Sequence, residues 1–299
     1  MKIILIYHRI AVVGAVTGLM IIGIILRLMF PGEFITTVQK QRTCLMENTM
    51  KFSDSEVFFR ELWRNLPRLV EICVFKKYRK DTIMYGKGIN SVYWMTSKVE
   101  AHNHVCNIVF IRQDDNLMTE VEMMKALYKC KLFVVSPRVF SSENDTVPLH
   151  IYRLQLASTV LPYEELSELR RDKTQIDLVF FVMNYVRRYR IDQINVFQNG
   201  KGYLKGLYSN GPMENTKIRT CQMNVHYPKP RTGVERREFH NIWKRILKDE
   251  RYMVTAVRHM SDAVTAIFLI NIRDPYCWAK YITIMEPYVG ETNSIPGTH

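Results

Sequence analysis

The sequence predicts an α/β domain: a mostly parallel sheet with a C-terminal antiparallel hairpin, preceded by an N-terminal transmembrane helix. Three observations carry this. Ile10 to Leu26 is an uninterrupted apolar run. From Thr82 onward, short β-rich runs alternate with helical periodicity, which implies a parallel sheet covered on both faces. Near the end, Tyr252–His259 and Val264–Asn271 are two β-rich runs joined by only four residues, Met260 to Ala263, which is a hairpin signature.

The N-terminus comes first. Lys2, His8 and Arg9 precede the apolar run and Arg27 follows it. Leu28, Met29 and Phe30 extend it if Arg27 reaches toward the interface, giving a segment long enough to span a bilayer. No small-residue cleavage site follows; Pro31-Gly32 is the next break. Residues 10–30 therefore read as an uncleaved signal anchor behind a cytoplasmic tail, residues 1–9. Lys2 and Arg9 favour a cytoplasmic N-terminus, hence a single-pass type II protein with a lumenal domain in the secretory pathway. Asn144-Asp145-Thr146 lies in a polar stretch and would accept N-glycan on that side.

Residues 31–74 read as a stem and a leading helix, with Phe58, Leu62 and Trp63 at helical spacing. Thr82–Tyr85 reads as the first core strand and Asn107–Ile111 as the second. Thr119–Lys129 is helical, and Lys131–Val135 is a further strand. Pro162 to about Arg188 is mostly helical with a break near Asp172. Arg190–Val196 and Thr220–Val225 read as strands. Between Arg236 and Arg251, Phe239, Ile242, Trp243, Ile246 and Leu247 form one apolar helical stripe. Asp274-Pro275 starts a last short helix, and residues 286–299 are left as a tail.

Composition narrows the function classes. The 299 residues are 47% hydrophobic, enough for a single-domain core, and the formal net charge is +13. Basic residues cluster at Lys76–Lys80, at Arg187, Arg188 and Arg190, and at Arg231, Arg236 and Arg237. On a lumenal domain such charge suits acidic glycans or anionic lipid rather than nucleic acid. Six cysteines stand far apart with no C-x-x-C pair. A lumenal domain permits one to three disulfides, while Cys106 and Cys221, at strand positions, also read as buried thiols. With no D-x-D and no cysteine pair, no metal site is expected.

Ligands of such sheets bind outside the carboxyl ends of the strands. Gly86-x-Gly88 follows the first predicted strand and lets backbone approach a cofactor closely. Asp114 and Asp115 end the second predicted strand, where an acid can bond ribose hydroxyls. His226 and His240 are the candidate bases for an acceptor hydroxyl.

One family resemblance rests on specific residues. Arg190-Ile-Asp-Gln-Ile-Asn-Val-Phe-Gln-Asn-Gly200, Tyr203-Leu204, and Cys221-Gln-Met-Asn-Val-His226 resemble the FkbM-type methyltransferase domain, nearest its membrane-anchored nematode branch. Phe239-His240, Asn271–Asp274 and Tyr281-Ile282 continue the likeness, which covers residues 75–285. It implies a Rossmann-like methyltransferase fold and S-adenosylmethionine-dependent O-methyl transfer to a glycan or small hydroxyl acceptor. Gly86, Gly88, Asp114, Asp115, Asn199 and Gly200 would line the cofactor. The departures are equally specific. The family's D-x-E-G-x-E run falls on Phe197 to Gly202, and only Gly200 survives. The glutamate before His226 is absent, and Asn90 stands where an acid often follows the second glycine. Phe197 cannot hold a hydroxyl, and Asn199 cannot act as a base. The alternative is a catalytically degenerate domain kept for binding or scaffolding.

Overall fold

The computed structural model describes residues 32–50, 56–74, 81–96, 106–138, 149–157, 175–197, 200–206 and 211–282. The anchor at 10–30, the Asn144 sequon, Asn199 and the 286–299 tail lie outside them. Among the described residues no helix is long and apolar enough to cross a membrane.

The strands are β1 (Thr82–Tyr85), β2 (Val92–Met95), β3 (Asn107–Ile111), β4 (Lys131–Ser136), β5 (Leu149–Arg153), β6 (Gln155–Leu156), β7 (Gln175–Ile176), β8 (Arg190–Val196), β9 (Arg219–Pro228), β10 (Tyr252–Ser261) and β11 (Val264–Asn271). The helices are α1 (Gly32–Met50), α2 (Glu56–Cys73), α3 (Met118–Ala126), α4 (Leu178–Phe181), α5 (Gly200–Gly206), α6 (Pro212–Asn215), α7 (Gly233–Lys248) and α8 (Pro275–Tyr281). A seven-stranded sheet runs in the order β10-β11-β9-β8-β3-β4-β5. Neighbours from β9 to β5 are parallel, and β11 runs against both β9 and β10. The predicted outline of a parallel sheet with an antiparallel terminal hairpin is therefore what forms.

The centre of the sheet follows from side chains. β3 is NIVFI, buried at all five positions, as a strand covered on both faces must be. The strand order reverses between β3 and β8, so the ligand crevice of this architecture falls outside their carboxyl ends.

This moves the frame by one strand. Thr82–Tyr85 is not a core strand: it pairs antiparallel with β2 in a separate two-stranded ribbon. Ile83 and Met84 are 43% and 40% exposed, which a central strand does not permit. The first core strand is β3 and the second is β4. Asp114 and Asp115 thus follow the first core strand, and the second ends in Ser136-Pro137-Arg138 with no acid.

The predicted leading helix forms as α2, and the residues read as a stem before it form a second docked helix, α1. Gln41 donates to the Val254 carbonyl at 2.6 Å, and Arg42 donates to the Asp249 and Tyr252 carbonyls. A Cys44–Cys73 disulfide ties α1 to α2, and α2 packs on β10, with Trp63 edge-on to Phe239 at 5.3 Å. Cys106–Cys130 and Cys221–Cys277 are also bonded, so neither Cys106 nor Cys221 is a buried thiol. Helix α7 starts at Gly233, three residues before the predicted start at Arg236, because Thr232 and Glu235 form a reciprocal capping box.

Candidate functional site

At the reversal point the backbone is in the expected place and the space is filled. Arg112 is the first residue after β3. Its N–H donates to the Val135 carbonyl, and its side chain is fully buried. Nε donates to Asp114 at 2.8 Å, Nη1 to Glu120 at 2.9 Å and Nη2 to the Asn90 side-chain oxygen at 3.0 Å. Its guanidinium carbon lies 4.1 Å from the centroid of the Phe197 ring. Phe197 is the first residue after β8; its N–H donates to the Ile111 carbonyl, and its ring stacks on Phe110 and meets the His226 ring edge-on at 4.9 Å. Arg112 is thus wedged between the ends of the two strands that define the crevice. Planar, multiply bonded and stacked, it uses the guanidinium's whole fork, a role lysine cannot fill.

The electrostatics of the cluster are internal. Burial raises the Glu120 carboxyl to about 7, against the pull of the Arg112 charge. Burial likewise drags the His226 imidazole down to about 4. The Arg112 charge adds to that, while the Ser91 and Phe197 carbonyls and Asp114 oppose it. His226 is 2% exposed and packed on Phe197, so it is not placed to take a proton from an acceptor.

The remaining sequence-predicted residues sort as follows. Gly86 has φ +77, and its N–H donates to Glu122; a Cβ there would lie 2.3 Å from the Thr119 hydroxyl, so it is glycine because α3 packs against it. Gly88 has φ +56 with open space around its Cα, and it starts the short turn Gly88–Asn90. That turn reaches the crevice through Asn90, whose carbonyl accepts from Thr119 at 2.5 Å. Asp114 is spent on Arg112, and Asp115 is exposed. Gly200 opens α5 where a Cβ would strike Val225 at 2.0 Å, so its conformation serves packing on β9. His240 is buried on α7 with Phe239 and Trp243, on a helix that rests on β10 and α1. The structure therefore gathers Gly86, Asp114, Phe197 and His226 around one centre, but the centre is Arg112, which the sequence reading did not single out.

Two further polar groups were missed. Gln222 and Asn224 face the ribbon and treat β2 as an extra strand: Gln222 exchanges two hydrogen bonds with Met95, and Asn224 exchanges two with Tyr93. Gln193 and Asn195, their register partners on β8, complete the ladder. Side-chain amides carry one donor and one acceptor face, as a peptide does, so they can pair with a strand edge. Beneath them Asp192 accepts from the Asn107 N–H at 2.7 Å, from Lys280 at 2.5 Å and from the Tyr281 hydroxyl at 2.8 Å. The residues that carry the family resemblance, Asp192, Gln193, Asn195, Gln222 and Asn224, are thus a structural network. The one signal that could have shown this is the alternation of Gln193 and Asn195, and of Gln222 and Asn224, with apolar residues on adjacent strands.

A nucleoside cofactor laid across these strand ends needs a loop without side chains after the first core strand and a free acid after the second. Here the first loop reads Arg-Gln-Asp-Asp-Asn and holds no glycine, the second strand ends without an acid, and Arg112 takes the space. The residues do not fit S-adenosylmethionine.

The fold and crevice define a mixed α/β domain with a mostly parallel sheet. No family model and no curated protein sequence matches the chain. Among solved structures it is similar to one titled Methanococcus jannaschii fibrillarin pre-rRNA processing protein, at 12% identity and a TM-score of 0.30, over 66% of this chain and 86% of that one. A similarity that shallow carries no weight for function, and the FkbM likeness rests on the quoted residues alone.

Proposed function

We propose that this chain is a membrane-anchored domain of methyltransferase ancestry that has lost its cofactor and works as a binding domain in the secretory pathway. The observation that carries this reading is the seat of Arg112: a fully buried side chain, bonded to Asp114, Glu120 and Asn90 and stacked on Phe197, where a cofactor would lie. The missing acids of the FkbM pattern agree with it. Pairing of all six cysteines supports an oxidising compartment. Residues 10–30 supply the anchor, and Asn144 falls on the lumenal side in this topology.

Calorimetric titration of S-adenosylmethionine into the full chain tests the reading. The full chain is required because α1 is bonded to the sheet edge and to α2. No heat is expected up to millimolar cofactor from a protein with native circular dichroism. Micromolar binding overturns the proposal and restores an active methyltransferase acting on a glycan or small hydroxyl acceptor.

A further inference from the structure

The opposite end of the sheet is open. A cleft of about 1010 Å³ lies at the amino-terminal ends of β8 and β9, lined among others by Tyr189, Arg190, Lys217, Arg219, Asp274 and Tyr276. Its volume matches the upper range of small-molecule sites, room for several rings rather than one ion. Among the lining residues three cations accompany one carboxylate, Asp274. Arg219 is engaged by Asp274 at 3.4 Å and by Glu214 at 3.9 Å, and Asp274 also caps α8. Arg190 and Lys217 are exposed and have no carboxylate partner among the described residues. Arg190 instead lies 4.8 Å over the Tyr276 ring, and Tyr189 is 59% exposed. Exposed Arg187 and Arg188 lead into the same edge.

A second observation is independent of charge. Lys217 sits at φ 61 just past α6. Its N–H donates to the Glu214 carbonyl, and the Ile218 N–H donates to the Met213 carbonyl. This is the double bond pattern of a helix end whose left-handed residue is ordinarily glycine. Arg187, which closes the helical segment before Tyr189, is the other non-glycine residue with positive φ among the described residues. Both are basic; Lys217 lines the cleft, and Arg187 stands two residues before its lining residue Tyr189. Backbone strain kept at a ligand edge, where glycine would relieve it, is a mark of side chains held for use.

We infer that this cleft binds an acidic oligosaccharide, its sulfate or carboxylate groups on Arg190, Lys217 and Arg219 and a sugar face on the exposed Tyr189. Guanidinium forks suit such oxyanions bidentately, and the apolar face of a pyranose matches an exposed tyrosine ring. The choice of glycan over nucleic acid rests on the secretory-compartment reading above; the cleft itself does not depend on whether the opposite crevice takes a cofactor.

The test uses the full chain and a fluorescent heparin-derived hexasaccharide at physiological salt, read by anisotropy. Arg190→Glu with Lys217→Glu should weaken binding by about tenfold or more, where tenfold corresponds to 1.4 kcal/mol. Lys229→Glu with Arg237→Glu makes the same charge change; Lys229 follows the carboxyl end of β9, far from the cleft. This control should change affinity by less than about twofold, the spread of remote surface substitutions. Tyr189→Ala should weaken binding without altering charge, and Tyr189→Phe should retain it. Lys217→Gly should weaken binding while raising Tm. Equal loss in the control pair, full retention in the cleft pair, or equal competition by an RNA of matched charge overturns the inference. A free-thiol count separates the two failures. Intact disulfides without glycan binding sink the cleft alone; reduced cysteines sink the compartment reading first.

Discussion

The two ends of this sheet have been treated in opposite ways. At the carboxyl ends of β3 and β8, charge is turned inward: Arg112 is consumed by Asp114, Glu120 and Asn90 and covered by Phe197. At the amino ends of β8 and β9, charge is turned outward: Arg190 and Lys217 face an open cleft. Both ends hold arginine and aromatic rings, so composition does not distinguish them. Burial does. An arginine whose donors are satisfied inside the fold stabilises a plug; one left at a rim is available to a ligand. The architecture alone therefore does not say which end of the sheet is open to a ligand.

The sharpest way to break this contrast is at the plug. Arg112→Met leaves Glu120 buried without its cation, and removing one member of a buried pair costs about 3 kcal/mol or more. An unfolding free energy from urea denaturation lowered by less than about 1 kcal/mol, the typical worth of a single exposed pair, would mean that the plug is not structural. Adding Glu120→Gln should recover part of the loss, since an amide needs no counter-charge.

The next effect is pH dependence, with opposite signs for two neighbours. Glu120 has its folded pKa raised to about 7 from 4.5. The folded state then holds a proton that the unfolded state releases, so this group removes stability as pH rises from 4.5 to 7. His226 has its folded pKa lowered to about 4 from 6.5. The folded state refuses a proton that the unfolded state binds, so stability is present above 6.5 and is lost as pH falls toward 4. Over pH 4.5 to 6.5 the two slopes oppose each other. Denaturation midpoints of the wild type should therefore change little there. Glu120→Gln should expose a loss on acidification, and His226→Gln a gain. Identical profiles for the two variants would contradict the arrangement around Arg112.

The smallest effect belongs to the open end. Lys217→Gly should stabilise the fold by about 1 kcal/mol by relieving left-handed strain, offset in part by glycine's unfolded-state entropy. A destabilised Lys217→Gly would show that the lysine packs rather than presents its charge.

Much of the scaffold was legible in the residues. β8 was read with the bounds it adopts, and the β10–β11 hairpin and α7 were found because apolar periodicity dominates there. β5 was missed because LHIYR is exposed or half-exposed along its length and carries no buried pattern. Thr82–Tyr85 was misplaced because a short β-rich run before Gly86-x-Gly88 looks the same in a ribbon as in a sheet; only its pairing with Val92–Met95 distinguishes the two. The candidate site suffered most from that slip. Gly86, Asp114 and His226 do converge, yet on a side chain that gave no local signal, since an arginine after a strand is ordinarily a solvated loop residue.

The sequence by itself determined the apolar N-terminal run, the alternation that yields a largely parallel sheet and the terminal hairpin. These are local or periodic properties, and a single chain displays them. Only the tertiary structure decided that β3 is the first core strand, that six cysteines close three disulfides, and that Gln222 and Asn224 bond a ribbon rather than a ligand. It alone decided that Arg112 fills one end of the sheet while Arg190 and Lys217 line the other. Those outcomes depend on which distant residues become neighbours, and on whether a charge ends in water or among partners, and neither is written in the spacing of residues along the chain.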